Sequence, residues 1–337
     1  MRKVLALVLA LVLTISFCAA AEEEPAETHE PEKFECGDYT YILLDDGTAK
    51  ILRYAGNEEV LVVPDALDGI KVTAFENDAF GFCKATSVTV PDSVTNLGNR
   101  AFSSCKSLTG ITLPDSVASI GENPFYLCEK LTDIHVSPDH PYLAVIDGAL
   151  FSKPDNRLIC YPCGLTAESY DVPDGVQIIE DRAFAGCSSL TRITLPEGVT
   201  SVGVFSFGRC SALVAVALPD SVTTIGDAAF LSCESLDGIT LPASLTSIGE
   251  IAFSFCRSLT GITIPEGVTD IGGQAFASCS SLTEITIPDS VENIGNDVFS
   301  NCDLLTVTVS RDSYAAKYCK ENDVNYTYPD ILDWLNN

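Results

Sequence analysis

The sequence predicts an α/β solenoid, in which short coils of chain stack on one another and share a core. One observation is a pattern that ends in cysteine and recurs every 22 or 23 residues, apart from one gap of 59. Another is that each copy repeats the same order of apolar, Pro, Gly and Phe positions. Periods of about 20–50 residues are typical of solenoids. The copies end at Cys83, Cys105, Cys128, Cys187, Cys210, Cys233, Cys256, Cys279 and Cys302.

The first half of one coil is predicted to be a short strand. In the copy at 236–256, Ile239 and Leu241 flank the polar Thr240. Such alternation is typical of a strand with one buried face. Pro242 ends the strand because proline has no N–H to donate. We call the strand at this position of each coil the main strand.

The second half of the coil is predicted to add a second extended segment and a helical turn. Leu245 and Ile248 form another inward-facing pair, and Ala252, Phe253 and Cys256 share one face at helical spacing. Coils stacked about 4.8 Å apart bury these faces against each other. One Phe from each copy is expected in the spine of the core: Phe80, Phe102, Phe125, Phe184, Phe207, Phe230, Phe253, Phe276 and Phe299.

The N-terminal residues indicate export. Residues 1–21 have a short basic start, an apolar run and small residues before the predicted cleavage site, as in a bacterial secretory signal peptide. Lipidation at Cys18 is the disfavoured alternative, because Phe17 stands where a lipoprotein signal has a small residue. Residues 22–33 are acidic and are predicted to be a disordered spacer.

Four further segments are predicted. Residues 34–78 form an N-terminal β cap, since two β-rich runs flank an Asp-Gly turn. Residues 79–302 form the solenoid, with an irregular interruption at 137–171 that is too short for a core of its own. Residues 303–337 hold the last strand, a short helix and a C-terminal cap.

The charge of the chain restricts its partners. The formal charge is −28, and removal of residues 1–21 leaves 17 basic and 47 acidic residues. Such a surface disfavours nucleic acid and anionic membranes, and no membrane insertion is expected after signal removal. It favours cations or a basic protein partner.

The 14 cysteines are predicted to be mostly free thiols. A secreted chain with this many cysteines normally suggests disulfides. Nine of them, however, share one buried repeat position, where parallel thiols are poorly oriented for a disulfide. Cys160 and Cys163 form a C-x-x-C that ends a strand and has no partner pair at zinc spacing, so a structural role is predicted.

The outward residues of the main strands are mostly Thr. This ladder of Thr residues is expected to line the concave face. It is either a ligand surface or a consequence of the preference of Thr for strands. Val204 and Phe205 are expected to be an exposed apolar pair, either a contact point or a site of local packing. The candidate partner-binding residues are Thr112, Thr194, Thr240, Thr263, Thr286, Val204 and Phe205.

An acidic ladder follows the repeat prolines. It admits calcium binding, because hard cations take oxygen ligands, but solvated turn formers are the favoured interpretation. The ladder comprises Asp92, Asp115, Asp139, Asp174, Glu197, Asp220, Glu266 and Asp289.

No catalytic residue, cofactor or metal site is predicted. The sequence has no phosphate loop, nucleophile elbow or His-pair metal motif. Its three histidines, His29, His135 and His140, leave little for acid–base chemistry. A pocket that brings His135 and His140 together with acidic residues would favour a secreted hydrolase.

The repeat L-x-x-I-T-L-P-x-S-V-T-x-I-G-x-x-A-F-x-x-C, with the interruption D-G-x-L-F...L-I-C-Y-P at 147–162, resembles the BspA-like bacterial surface leucine-rich-repeat family. The resemblance covers about 34–328. It implies a leucine-rich-repeat horseshoe with a parallel β-sheet on its concave face. It also implies a secreted or cell-surface, non-enzymatic adhesion protein that binds host matrix proteins or other cells. A structural or self-assembling envelope protein is the alternative, and the oligomeric state stays open.

Overall fold

The computed structural model describes residues 31–329. The predicted signal peptide 1–21, with Cys18, lies outside the described residues, as do 22–30 of the predicted spacer and 330–337. Within the described residues, one compact unit begins at Lys33 and contains the described strands and the helix.

The described residues form 27 strands and one helix. In chain order these are β1 (Lys33–Cys36), β2 (Tyr39–Leu43), β3 (Ala49–Tyr54), β4 (Val60–Val62), β5 (Ala66–Leu67), β6 (Ile70–Phe75), β7 (Ser87–Thr89), β8 (Asn96–Leu97), β9 (Gly110–Thr112), β10 (Ser119–Ile120), β11 (Asp133–His135), β12 (Leu143–Ile146), β13 (Ala149–Ser152), β14 (Arg157–Cys160), β15 (Ser169–Asp171), β16 (Ile178–Ile179), β17 (Arg192–Thr194), β18 (Ser201–Val202), β19 (Ala215–Ala217), β20 (Thr224–Ile225), β21 (Ser247–Ile248), β22 (Gly261–Thr263), β23 (Asp270–Ile271), β24 (Glu284–Ile287), β25 (Asn293–Ile294), β26 (Thr306–Val309), α1 (Tyr314–Glu321) and β27 (Tyr326–Thr327).

Each regular coil contributes to two ladders of parallel strands. The main strands pair in the orders β4-β7-β9-β11, β15-β17-β19 and β22-β24-β26-β27. The second strands pair as β6-β8-β10 and as β14-β16-β18-β20-β21-β23-β25. Equivalent residues of neighbouring coils lie side by side, as Ile193 does with Val216. The predicted solenoid of stacked coils is therefore confirmed.

The predicted helical turns are wrong, and the segments that follow the second strands are β-turns. Phe253 donates its N–H to Ala275 of the next coil at 2.7 Å, and Phe255 donates to Ala277 at 2.8 Å. An α-helix needs these N–H groups for carbonyls four residues earlier in the same coil. Ile251 and Phe255 also have left-handed φ values of 50° and 62°. The chain is thus a β-solenoid, and α1 is the one helix within residues 31–329.

The predicted Phe spine is confirmed. Phe207, Phe230 and Phe253 are buried, with ring centroids 5.1 Å apart and ring planes within 9° of parallel. Offset stacking of this kind adds to the stabilisation from burial. Tyr161 extends the spine across the interruption, since its ring stacks on Phe184 at 5.6 Å.

The repeat cysteines have a specific place in the coil. Cys233 donates its thiol to the Phe207 carbonyl oxygen of the preceding coil at 3.1 Å, and Cys256 donates to Phe230 at 3.2 Å. All 13 cysteines of the described residues are free, so the predicted free thiols are confirmed. Burial raises the pKa of the Cys256 thiol to about 12, because the charged form is disfavoured there.

The interruption forms a wall between two cores. Antiparallel pairing joins β12 to β13 and β13 to β14. Side chains alternate across this hairpin: Phe151 and Leu158 pack into the core of the C-terminal coils, whereas Leu150 and Ile159 pack into that of the N-terminal coils. Because both faces of β13 are covered, all four of its residues are buried, and its sequence shows no alternation of apolar and polar residues.

Distinct elements lie at both ends of the repeats. At the N-terminal end, β1, β2 and β3 pair antiparallel, and β3 pairs parallel with β6. At the C-terminal end, α1 begins after Ser313, whose hydroxyl accepts from the Ala316 N–H at 3.1 Å. That these elements act as caps stays a prediction.

Candidate interaction surface

The outward residues of the C-terminal main strands line one groove. Four of the predicted residues lie in it: Thr194, Thr240, Thr263 and Thr286. The groove runs across β17, β19, β22 and β24 and has a volume of about 1440 Å³. We call it the main-strand groove. Its floor is formed by outward side chains, because the inward residues of the same strands are in the core.

A row of small residues crosses the groove, with a charged residue at each end of the row. Arg192 lies beside Ala215, and Glu284 lies beside Gly261. Between these pairs the repeat places Gly238, around which nothing would touch an added Cβ within 4 Å. Exposed Arg192 and exposed Glu284 thus face the same groove from opposite ends of a small-residue row.

The main strand predicted at 239–241 does not form. In regular coils this position is joined to the next coil, for example by the Leu195 N–H and the Ala217 carbonyl at 3.1 Å. Within residues 31–329, no such bond joins 237–241 to β19 or β22. Asp disfavours strands, and Asp237 stands where the next coil has Thr260. Gly238 alone does not account for the break, since Gly261 at the same repeat position begins β22. Ile239 is accordingly half-buried, although Ile262 in the next coil is buried.

This break leaves backbone groups open to the groove. The ladder of the second strands continues through the same coil, with β21 between β20 and β23. Neighbouring coils therefore stay hydrogen-bonded through their second strands here, but not through their main strands. Sequence reasoning missed this feature, although the Asp237-Gly238 pair was its available signal.

Negative charge dominates the groove. Asp237, Glu266 and Glu284 are exposed lining residues, against the single cation Arg192. Within residues 31–329, none of these four residues takes part in an ion pair. Their charges are available to a partner.

The other candidate residues lie elsewhere. Thr112 is exposed on β9, between Thr89 and His135 in the N-terminal main-strand sheet. Val204 and Phe205 lie in a turn and are half-buried, so their predicted exposure is wrong. The Phe205 ring packs edge-on against Tyr126 at 6.2 Å, which accounts for its partial burial.

The chain belongs by sequence to a known repeat family. A model described as a BspA type leucine-rich repeat region, with six copies, matches residues 68–167, 159–216 and 207–322. The protein is a member of the BspA type leucine-rich repeat family. A search of curated proteins found no match.

Solved structures share the fold of this BspA type repeat protein. The pneumococcal vaccine antigen PcpA is 18% identical with a TM-score of 0.62, and the match covers 89% of this chain and 99% of that one. A leucine-rich repeat protein from Bacteroides ovatus is 27% identical with a TM-score of 0.57, over 82% of this chain and 71% of that one.

The two histidines of the interruption region of this BspA type protein have separate partners. The buried His140 ring has its Nε2 3.0 Å from the Pro114 carbonyl oxygen, and its Nδ1 accepts the Leu143 N–H at 3.0 Å. His135 is exposed and pairs with Asp133 at 3.0 Å. His140 therefore anchors the start of β12, a role that sequence reasoning missed because no local pattern marks it.

Residues 31–329 hold neither a metal-binding cluster nor a membrane-spanning helix. In that range, no group of three or more His, Cys, Asp or Glu side chains could hold a metal ion. None of the helices there is long and apolar enough to cross a membrane.

Proposed function

We propose that this protein is a non-enzymatic binding protein, secreted or held at the cell surface, that recognises a macromolecular partner through the main-strand groove. The observation that carries the proposal is the groove itself. Four outward Thr residues and a row of small residues form its floor, and unpaired charged side chains line it.

Repeat architecture supports this use of the groove. Outward residues of a solenoid contact neighbouring coils and solvent, so they can vary without changing the core. The opened backbone near Gly238 adds hydrogen-bonding groups that a partner can reach.

The proposed location rests on the N-terminal sequence and on relatives. Residues 1–21 have the pattern of a secretory signal peptide. The structural relative PcpA is described as a pneumococcal vaccine antigen. That description is in keeping with the position proposed for this chain.

The charge favours a basic protein partner, such as a host matrix protein or a protein on another cell. The formal charge is −28, and three of the four charged groove residues are acidic. Association with a basic partner is therefore expected to be faster at low salt, because salt screens exposed charges.

The test begins with a binding screen of the mature chain against matrix proteins, glycans and whole cells. The strongest binder is then measured against the triple variant Thr240→Arg, Thr263→Arg and Thr286→Arg. Three large cations should reduce affinity at least tenfold, about 1.4 kcal/mol, by filling the groove and reversing its charge.

The matched control places three arginines on the N-terminal sheet, at residues that are not candidates: Ser87→Arg, Thr89→Arg and His135→Arg. Its added charge is equal if His135 is neutral, so an equal loss in both variants would indicate non-specific attraction. Unchanged affinity in the folded groove variant would exclude the groove and return attention to Thr112, Val204 and Phe205.

Self-assembly is the second candidate function, favoured by one observation. Val60 and Val62 are 64% and 67% exposed on β4, which ends its sheet within the described residues. Apolar edge strands pair readily with another chain. Light scattering that shows a concentration-dependent oligomer, abolished by Val62→Lys, would support this candidate over a soluble binding protein.

A further inference from the structure

The hydrogen bond of the repeat thiol is longest at Cys187. Its Sγ lies 3.5 Å from the Tyr161 carbonyl oxygen. Across seven other coils the equivalent distance is 3.0–3.2 Å. The same Cys187 sulfur lies 3.5 Å from the sulfur of Cys163.

Chain length in the preceding turn explains why these two sulfurs meet. Regular coils have two residues between Phe and Cys, whereas only Pro162 separates Tyr161 from Cys163. The Cys163 thiol therefore points forward and donates to the Ala185 carbonyl of the next coil at 3.1 Å. The Cys187 thiol points backward, as in other coils. One forward and one backward thiol face each other.

Cys163 is also accessible. It is half-buried, whereas the nine cysteines that end the repeats are buried. Gly186 stands next to it, and a Cβ built on Gly186 would lie 4.0 Å from the Cys163 sulfur. Equivalent turn positions carry Arg209, Ser232 and Phe255. The missing side chain leaves a path for a small reagent.

We propose that Cys163 and Cys187 form a disulfide bond when the protein meets a small-molecule disulfide. The Cys163 thiolate attacks the reagent, forming a mixed disulfide and releasing one thiolate. Cys187, having given up its proton to solvent, then attacks the Cys163 sulfur and releases the second thiolate. Two protein thiols are oxidised, and one reagent disulfide is reduced to two thiols. The sulfurs must approach by about 1.5 Å to reach bonding distance.

The second step is the slower one. Burial raises the pKa of the Cys187 thiol well above its usual value, so little thiolate forms at neutral pH. Closure should therefore accelerate as pH rises from 7 to 9. The bond would tie the first C-terminal coil to the interruption, next to the wall between the two cores.

The experiment treats the reduced mature chain with oxidised glutathione at pH 8.5, then titrates thiols under denaturing conditions. Two thiols should be lost. Trypsin cleaves after Arg157, Arg182 and Arg192, so mass spectrometry should find peptide 158–182 linked to peptide 183–192. Cys160→Ser should retain this link, which assigns it to Cys163.

Two variants serve as controls. Cys163→Ser should lose the link and keep the Cys187 thiol titratable, whereas Cys256→Ser in a regular coil should retain the link. A stable glutathione adduct at Cys163 without closure, a Cys160–Cys163 bond, or no thiol loss in the wild-type chain would each overturn the proposal.

Discussion

The Cys256 sulfur lies 3.2 Å from the carbonyl oxygen of Phe230, one coil earlier. The same bond recurs in coil after coil, as from Cys279 to Phe253 at 3.1 Å. That carbonyl also accepts the Cys233 N–H at 3.1 Å, so the buried thiol supplies its second hydrogen bond. The repeat cysteine is thus a small apolar residue that also satisfies a backbone acceptor.

Cys256→Ala should lower the free energy of unfolding by about 1–3 kcal/mol. The change leaves a small cavity and removes one of the two hydrogen bonds that the Phe230 carbonyl accepts. Urea unfolding of the reduced protein measures the loss. Cys36→Ala is the matched control, since Cys36 is half-buried on β1 and should cost less. Equal losses would contradict a special role for the repeat position.

Phe253→Ala should cost about 3–5 kcal/mol, because it removes a fully buried ring from the stacked spine. Phe255→Ala is the control two residues away, where the ring is 40% exposed. It should cost under about 1 kcal/mol. Denaturant midpoints for both variants test the difference, and a similar cost at both positions would refute the spine.

Stability should fall as pH rises above 9 under reducing conditions. Burial raises the folded-state pKa of Cys256 to about 12, and Cys233 shifts in the same direction. The stabilisation is complete below the unfolded pKa near 9.0 and is lost as pH rises toward the folded pKa. Each such thiol contributes about 1.4 kcal/mol per pH unit in that window. Unfolding at pH 8, 9 and 10 gives the slope, which should be shallower in Cys256→Ala.

Gly164→Ala should destabilise the junction between the interruption and the N-terminal coils. An added Cβ would lie 2.5 Å from the Leu131 carbonyl oxygen and 2.6 Å from the Lys130 carbonyl carbon. Backbone must move to relieve this clash, at a cost of about 1–3 kcal/mol. Gly238→Ala, whose Cβ would meet nothing within 4 Å, should be close to neutral. Thermal unfolding of the two variants decides whether the close approach matters.

Much of this fold could be predicted from the sequence because the repeat is local and regular. A coil that repeats every 23 residues places Phe230 beside Phe253 and Cys233 beside Cys256 wherever coils stack in register. The alternation around Thr263 likewise determines which side chains point outward. Four of the predicted Thr residues lie together for this reason.

The tertiary structure decided what depends on the neighbouring coil. The segment around Phe253 has helical spacing, yet its N–H groups donate to the next coil, so it forms turns. The strand at 239–241 has a strand pattern, yet its ladder opens beside Gly238. Cys163 meets Cys187 because a turn one residue shorter reverses the direction of one thiol. A sequence pattern determines which side chains each coil buries. Whether a backbone hydrogen bond forms between two coils depends on differences of a few tenths of an ångström in the N···O distance, and only the packing of the coils sets that distance.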